Sequence, residues 1–262
     1  MAEPPVSPER VSGDELVLRL DRLWRGRSPA VLAFDGDGTL WRGDVAEDVF
    51  HWAIERELLT NAPERGLRDT ARAHGLELDG DSNQLAAGLF EAYLAGQLAE
   101  RTLYELMTWC FAGLALDDLG DLARQALDAA GLDARLNRGL APVIDWARHQ
   151  KVRAVIISAS PRFIVEEAGR RWDFAPADIA AATPALESGR VLPRLANPVP
   201  YGPSKVQFGR QLFADAAWLA SFGDSRFDLE MLGAAELAVA VQPKPELLMA
   251  LRALRRAVVL DA

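Results

Sequence analysis

The hydrophobic pattern changes period along the chain, and the changes mark out its organisation. Leu16, Leu20, Leu23 and Trp24 recur at helical spacing behind Ser12 and Glu15, a capping-box pair, so a short amphipathic helix is expected there. The dozen residues before it carry Pro4, Pro5 and Pro8 and read as a loose tail. Ala30 to Phe34 is then a continuous apolar run, the pattern of a strand buried on both faces. From about Asp44 to Gly131 no strand is evident. Val45, Val49 and Trp52 share a helical face, as do Leu85, Leu89 and Tyr93. Leu103, Leu106, Met107 and Cys110 repeat the spacing, followed by Leu119, Leu122, Ala123, Ala126 and Leu127, and Gly131 reads as a helix stop. The ordinary role of these stripes is core packing.

Beyond this block, apolar runs alternate with helical patterns. "VRAVIISAS", "AWLASFGDS", "ELAVAVQ" and "AVVLDA" read as buried strands, and "ADIAAATPALESGRVLPRL" as strand material turning at Ser188-Gly189. Helical patterns fall at 143–150, 162–171, 205–214, 227–234 and 246–253. Strands alternating with helices predict an α/β fold with a doubly wound parallel sheet. The helical block is then an insertion after the first strand. The expected division is a tail and helix over 1–28, a core of 29–41 and 138–262, and an all-helical cap over 42–137. The cap's links would run near Arg42–Asp44 and Asn137–Gly139, where glycine can serve as a hinge.

Composition narrows the class. The chain has 262 residues, half of them hydrophobic, enough for a large core. Its 29 basic residues against 38 acidic ones give a net charge of −9, which argues against nucleic acid or an anionic membrane surface as partner. An anionic substrate would need local neutralisation. The single cysteine, Cys110, stands in an apolar context and permits neither an internal disulfide nor a thiolate metal cluster. The start of the chain lacks a basic, apolar leader, and no apolar segment is long enough to span a bilayer. A cytoplasmic protein is expected; oligomeric state is not legible.

The chemistry gathers at strand ends. The first strand runs straight into Asp35 and Asp37, each followed by glycine. Asp-Gly is by itself a common turn dipeptide. Two further strands, however, also end in polar groups: one at Ser158 and Ser160, the other at Asp224, with Asp228 four residues on. Open α/β sheets bind ligands at the carboxyl ends of their strands, so these groups should converge. Lys205 stands at a helix start in "YGPSK". His51, His74 and His149 share no pattern, no Gly-x-Ser-x-Gly surrounds either serine, and no Walker-type glycine loop is present.

"DGDGT" at 35–39, "IISAS" around Ser158, Lys205 and "GDSRFD" at 223–228 together resemble the four ordered motifs of the haloacid dehalogenase superfamily. The insertion and "SASPRFIVEEAG" resemble its phosphoserine-phosphatase-like branch. The resemblance covers nearly all the chain from about residue 30. It implies a Rossmann-like core and a Mg²⁺-dependent phosphatase for a small phosphomonoester. Asp35 is the implied nucleophile, forming an aspartyl-phosphate, and Asp37 the implied general acid/base. Ser158 and Ala159 would contact the phosphoryl oxygens, and Lys205 would stabilise the transferring group. Asp35, Asp224 and the backbone carbonyl of Asp37 would ligate Mg²⁺, with Asp228 orienting Lys205 or a metal-bound water rather than binding the ion. A phosphomutase, or a non-catalytic binding protein on the same scaffold, is the alternative.

The specificity positions depart from that branch. Counted from the nucleophile, its substrate-amine glutamate falls at Asp44, with Glu47 one turn on as a second candidate. Its substrate-carboxylate arginine falls near Met107, where none stands; Arg42 and Arg101 are nearby in sequence. Phe227 replaces a usual asparagine. Carboxylates without a clear cation favour an amino-alkyl phosphate over phosphoserine. Trp41, Trp52 and Trp109 lie close to these positions in sequence, and aromatic faces attract organic cations.

Overall fold

Asp35 leaves the interior of a parallel sheet, at the end of its strand between β-strand neighbours on both sides. The computed structural model describes residues 8–261. In chain order β1 (Glu9–Val11) and α1 (Gly13–Trp24) precede the central strand β2 (Ala30–Phe34). Helices α2 (Val45–Glu55), α3 (Glu64–Ala73), α4 (Ser82–Leu94), α5 (Glu100–Trp109), α6 (Leu116–Ala129) and α7 (Leu132–Arg135) follow without an intervening strand. Then come α8 (Ala141–Gln150), β3 (Arg153–Pro161), α9 (Arg162–Gly169), β4 (Ile179–Ala182), β5 (Pro184–Glu187) and β6 (Arg190–Leu195). The chain closes with α10 (Ser204–Phe213), β7 (Ala217–Gly223), α11 (Leu229–Ala234), β8 (Leu237–Val241), α12 (Pro245–Ala250) and β9 (Ala257–Leu260).

Seven strands form one sheet in the order β1-β9-β8-β7-β2-β3-β4, with every neighbouring pair parallel. This is the doubly wound α/β sheet expected from the sequence. Alternation sorts its core. Leu32 and Phe34 of β2 join the larger cluster that continues into the inserted helices. Val31 and Ala33 face the other way, into a cluster with Phe213, Trp218 and Met231. Strand order reverses beside β2, between β3 on one side and β7 on the other, so a crevice opens at its carboxyl end.

Ser12 and Glu15 form the expected capping box: the Glu15 amide donates to Ser12 Oγ at 3.3 Å and the Ser12 amide to Glu15 Oε2 at 2.8 Å. The described end of the expected tail is a strand. Residues 1–7 lie outside the described residues, but Glu9–Val11 forms an edge strand parallel to β9, with Val11 buried. Three residues with one apolar side chain show no alternation, and the partner strand lies at the far end of the chain.

The two links of the insertion run side by side. Trp41 bridges to Leu136, the Arg42 amide donates to the Arg135 carbonyl at 2.9 Å, and the Asn137 amide to the Leu40 carbonyl at 3.0 Å. A third attachment was not legible in the sequence. The β5–β6 hairpin turns at Ser188 and Gly189, both with positive φ (49° and 78°), as tight hairpins require. Its tip then pairs with the connection between α5 and α6. Gly113 N–H donates to Val191 O at 2.9 Å, Val191 N–H to Leu114 O at 3.0 Å, and Leu116 N–H to Gly189 O at 3.0 Å. A swing of α5 and α6 about the two links must break these bonds or carry the hairpin with it.

Candidate active site

Three strand ends converge as expected. The Asp35 amide donates to the Phe222 carbonyl of β7 at 2.9 Å, which brings the ends of β2 and β7 together. Lys205, buried near the start of α10, reaches both acidic motifs: its Nζ donates to Asp35 Oδ1 at 2.7 Å and to Asp228 Oδ1 at 2.6 Å. The second oxygen of Asp228 accepts from the Asp224 amide at 3.2 Å, the Ser225 amide at 3.0 Å and Ser225 Oγ at 3.1 Å. Asp228 thus has both oxygens engaged, holding Lys205 and the turn after β7. Asp35 differs: Oδ2 has no hydrogen-bond partner among the described residues, and the side chain lines a cavity.

Carboxylate oxygens of Asp35, Asp224 and Asp228 lie within 4.8 Å of one another. Negative charge is in excess here. Burial, then Asp228, hold the Asp35 carboxyl well above the usual carboxylate range, against the pull of Lys205. Burial and Asp228 likewise push Asp224 up to about 6. Burial works against the Lys205 ammonium, but Asp228 and Asp35 outweigh it and raise its pKa. Lys244 approaches from the rim, with Nζ 3.3 Å from Asp224 Oδ2. Gly38 lets the two motifs close: its φ is +75°, and a Cβ there would collide with the Asp224 carboxylate.

Asp37 is held from three directions. Its Oδ1 accepts from Trp41 Nε1 at 2.7 Å and from the amide of Val45, the first residue of α2, at 2.8 Å. Its Oδ2 accepts from Ser160 Oγ at 2.6 Å. Burial raises its pKa, and these hydrogen bonds oppose the rise. Pairing of β3 with β4 shifts register between Ser158 and Pro161, and this irregularity re-aims the serines. Ser158 Oγ accepts from the Ser160 amide at 3.1 Å, so its own proton remains available. Ser158 and Ala159 both line the cavity.

The cavity has a volume of about 350 Å³. The inserted helices contribute Asp44, Glu47, Tyr93, Glu100 and Tyr104, and the core adds Tyr201, Phe227 and Lys244. Asp44 is present as expected but is occupied as a helix cap. Its Oδ1 accepts from the Ala46 and Glu47 amides at 2.8 and 2.9 Å, and its Oδ2 from Tyr104 OH at 2.8 Å. Glu47 is half-buried, and its carboxylate has no hydrogen-bond or ion-pair partner among the described residues.

Among the described residues, no arginine lines the cavity. Arg42 donates to the Ala134 carbonyl at 3.0 Å, Arg101 pairs with Glu105 at 3.0 Å, and Met107 is core. The tryptophans are not cavity walls either. Trp41 is fully buried behind Asp37, Trp52 carries the Arg56 guanidinium 4.4 Å from its ring centroid, and Trp109 packs against Gly66. The aromatic lining comes from Tyr93, Tyr104, Tyr201 and Phe227. Tyr93 belongs to a stripe that reads as core, Tyr104 lies between core positions of α5, and Tyr201 precedes the lysine motif. Phe227 was visible only as a departure from the family pattern.

Residues 32–233 match the haloacid dehalogenase-like hydrolase family. No curated protein matches the chain. Among solved structures, a protein of unknown function from Bordetella pertussis Tohama I is 20% identical with a TM-score of 0.69, covering 90% of this chain and 99% of its own. A HAD family hydrolase from Salmonella enterica serovar Typhi is 16% identical with a TM-score of 0.55, covering 93% and 75%. A substrate-bound phosphoserine phosphatase is 12% identical with a TM-score of 0.52, covering 88% and 93%. These structures share the fold, while the sequence match extends over the motifs that build the site. The chain belongs to the haloacid dehalogenase-like hydrolases.

Proposed function

We propose that the protein is a Mg²⁺-dependent phosphomonoesterase for a small metabolite, phosphoserine-like or an amino-alkyl phosphate, working through an aspartyl-phosphate. One observation carries the reading. Asp35 presents an unpartnered oxygen to the cavity while Lys205 holds the other, and a second carboxyl, Asp37, stands two residues away.

The Asp35 carboxylate attacks phosphorus and the ester P–O bond breaks. Asp37 gives its proton to the departing alkoxide. Water then attacks the aspartyl-phosphate, Asp37 takes a proton from it, and inorganic phosphate leaves with Asp35 restored. The raised pKa of Asp37 suits a group that must carry a proton in one half-reaction and accept one in the other. Ser158 Oγ–H, the Ala159 backbone and Lys205 receive the phosphoryl oxygens.

The donor set fits Mg²⁺: hard carboxylate oxygens crowded beyond what one buried lysine neutralises. Asp35, Asp224 and the Asp37 carbonyl would hold the ion. When bound, it would offset the repulsion between Asp35 and a phosphate dianion. Asp228, already saturated by Lys205 and the turn amides, supports these ligands without joining them.

Hydrolysis of p-nitrophenyl phosphate tests the reading. Release is expected with Mg²⁺, is lost in EDTA and returns when Mg²⁺ is restored. Absence of release with Mg²⁺, or equal release in EDTA, would sink it.

A further inference from the structure

The cavity extends past the phosphate-reacting end, and the far end has a one-sided chemistry. Among the described residues its charged lining groups are Asp44, Glu47, Glu100 and Lys244, the last paired with Asp224. We propose that this end is a binding site for an organic cation, selected by Glu47, Glu100, Tyr201 and Phe227, so that the preferred substrate is the phosphate ester of an amino- or quaternary-ammonium alcohol. The proposal rests on the phosphomonoesterase reading and deepens it by assigning the leaving alcohol its charge.

Two independent features support it. The first is electrostatic. A half-buried carboxylate without a donor is costly, and Glu47 is one. Burial raises its pKa first, and Asp37, Asp48 and Glu100 raise it further, with His51 as the opposing influence. A ligand ammonium supplies the charge that the walls lack. A ligand carboxylate would meet three carboxylates instead.

The second feature is aromatic. Tyr201 and Phe227 pack with ring centroids 4.5 Å apart at 35°, and Tyr104 lies 6.4 Å from Tyr201. Tyr201 OH donates to Glu100 Oε2 at 2.8 Å, and Tyr104 OH to Asp44 Oδ2 at 2.8 Å. With those hydroxyls committed to protein carboxylates, both tyrosines have their rings to offer a ligand, not their O–H groups. Ring faces attract cations and do nothing for carboxylates. Phe227, packed beside Tyr201 on the same wall, adds one such face.

The test is a set of kcat/KM ratios. Phosphocholine is compared with its tert-butyl analogue, in which carbon replaces nitrogen, and phosphoethanolamine with propyl phosphate. Phosphoserine and p-nitrophenyl phosphate complete the panel, on the wild type and on Glu47→Gln and Glu100→Gln. Each cationic ester should exceed its neutral isostere by about tenfold or more, and should exceed phosphoserine. Both ratios should fall toward one in each variant. Wild-type ratios at or below one, faster turnover of phosphoserine, or ratios unchanged in both variants would each overturn the proposal. Turnover of p-nitrophenyl phosphate in those cases shows that the phosphatase reading survives. If no ester is hydrolysed, that reading fails and the cation site fails with it.

Discussion

Asp35→Asn is expected to abolish turnover while leaving the protein folded. An amide nitrogen or carbonyl is no nucleophile toward phosphorus, so losses on the order of 10⁴–10⁶-fold are expected, as for other covalent nucleophiles. Folding should tolerate the change. Asparagine is isosteric, and its Oδ1 can still accept from Lys205, which keeps Asp228 as a charged partner at 2.6 Å. The wild-type carboxyl is held well above the usual range by burial and by Asp228, so a charge there opposes folding once the pH exceeds the unfolded pKa. The variant should therefore melt at or above the wild-type temperature in EDTA. Mg²⁺ should raise the wild-type Tm by binding the native state and should raise that of the variant far less. A folded Asp35→Asn protein with substantial phosphatase activity would remove Asp35 as nucleophile.

Asp37→Asn should slow both half-reactions by about 10²–10⁴-fold, the usual contribution of a general acid/base. The geometry makes this a clean substitution. Asparagine Oδ1 can still accept from Trp41 and Val45, and its Nδ2 can donate to Ser160 Oγ in place of the bond at 2.6 Å. The backbone carbonyl assigned to the metal is untouched. An aryl leaving group needs little protonation and an alkyl one needs much. Phosphorylation by p-nitrophenyl phosphate should thus suffer less than phosphorylation by an alkyl ester, and aspartyl-phosphate should accumulate because the second step remains slow. Single-turnover measurements on both ester types decide it: equal losses would show that the leaving group receives its proton elsewhere.

These two residues were legible because their chemistry is local. A buried apolar run that ends in Asp-Gly-Asp-Gly has its strand, turn and carboxylates within ten residues of chain. The same holds for "IISAS" and "GDSRFD". Parallel strands place such ends along one edge, so the meeting of Asp35, Ser158, Lys205 and Asp224 followed from the order of elements. Lys205 and Asp228, which lie on separate motifs, meet in a hydrogen bond of 2.6 Å.

The far end of the cavity was not legible, because nothing local specifies it. Tyr201 and Glu100 meet across 101 positions, and Tyr104 and Asp44 across 60. Each of these side chains also fits a helical or loop pattern that needs no ligand. Nearness in sequence pointed to Trp41, Trp52 and Trp109, but packing spent them elsewhere, one of them on Asp37 itself. The edge strand at Glu9–Val11 and the hairpin bound to the α5–α6 connection are the same kind of case. Their stability lies in backbone hydrogen bonds to distant segments, which leave no mark on the period of apolar residues. The sequence by itself determined the sheet, the order of its strands' polar ends and the polar groups that meet along its carboxyl edge. The tertiary structure alone decided what lines the rest of the cavity, since that wall is built by helices folding back onto loops that local pattern cannot pair.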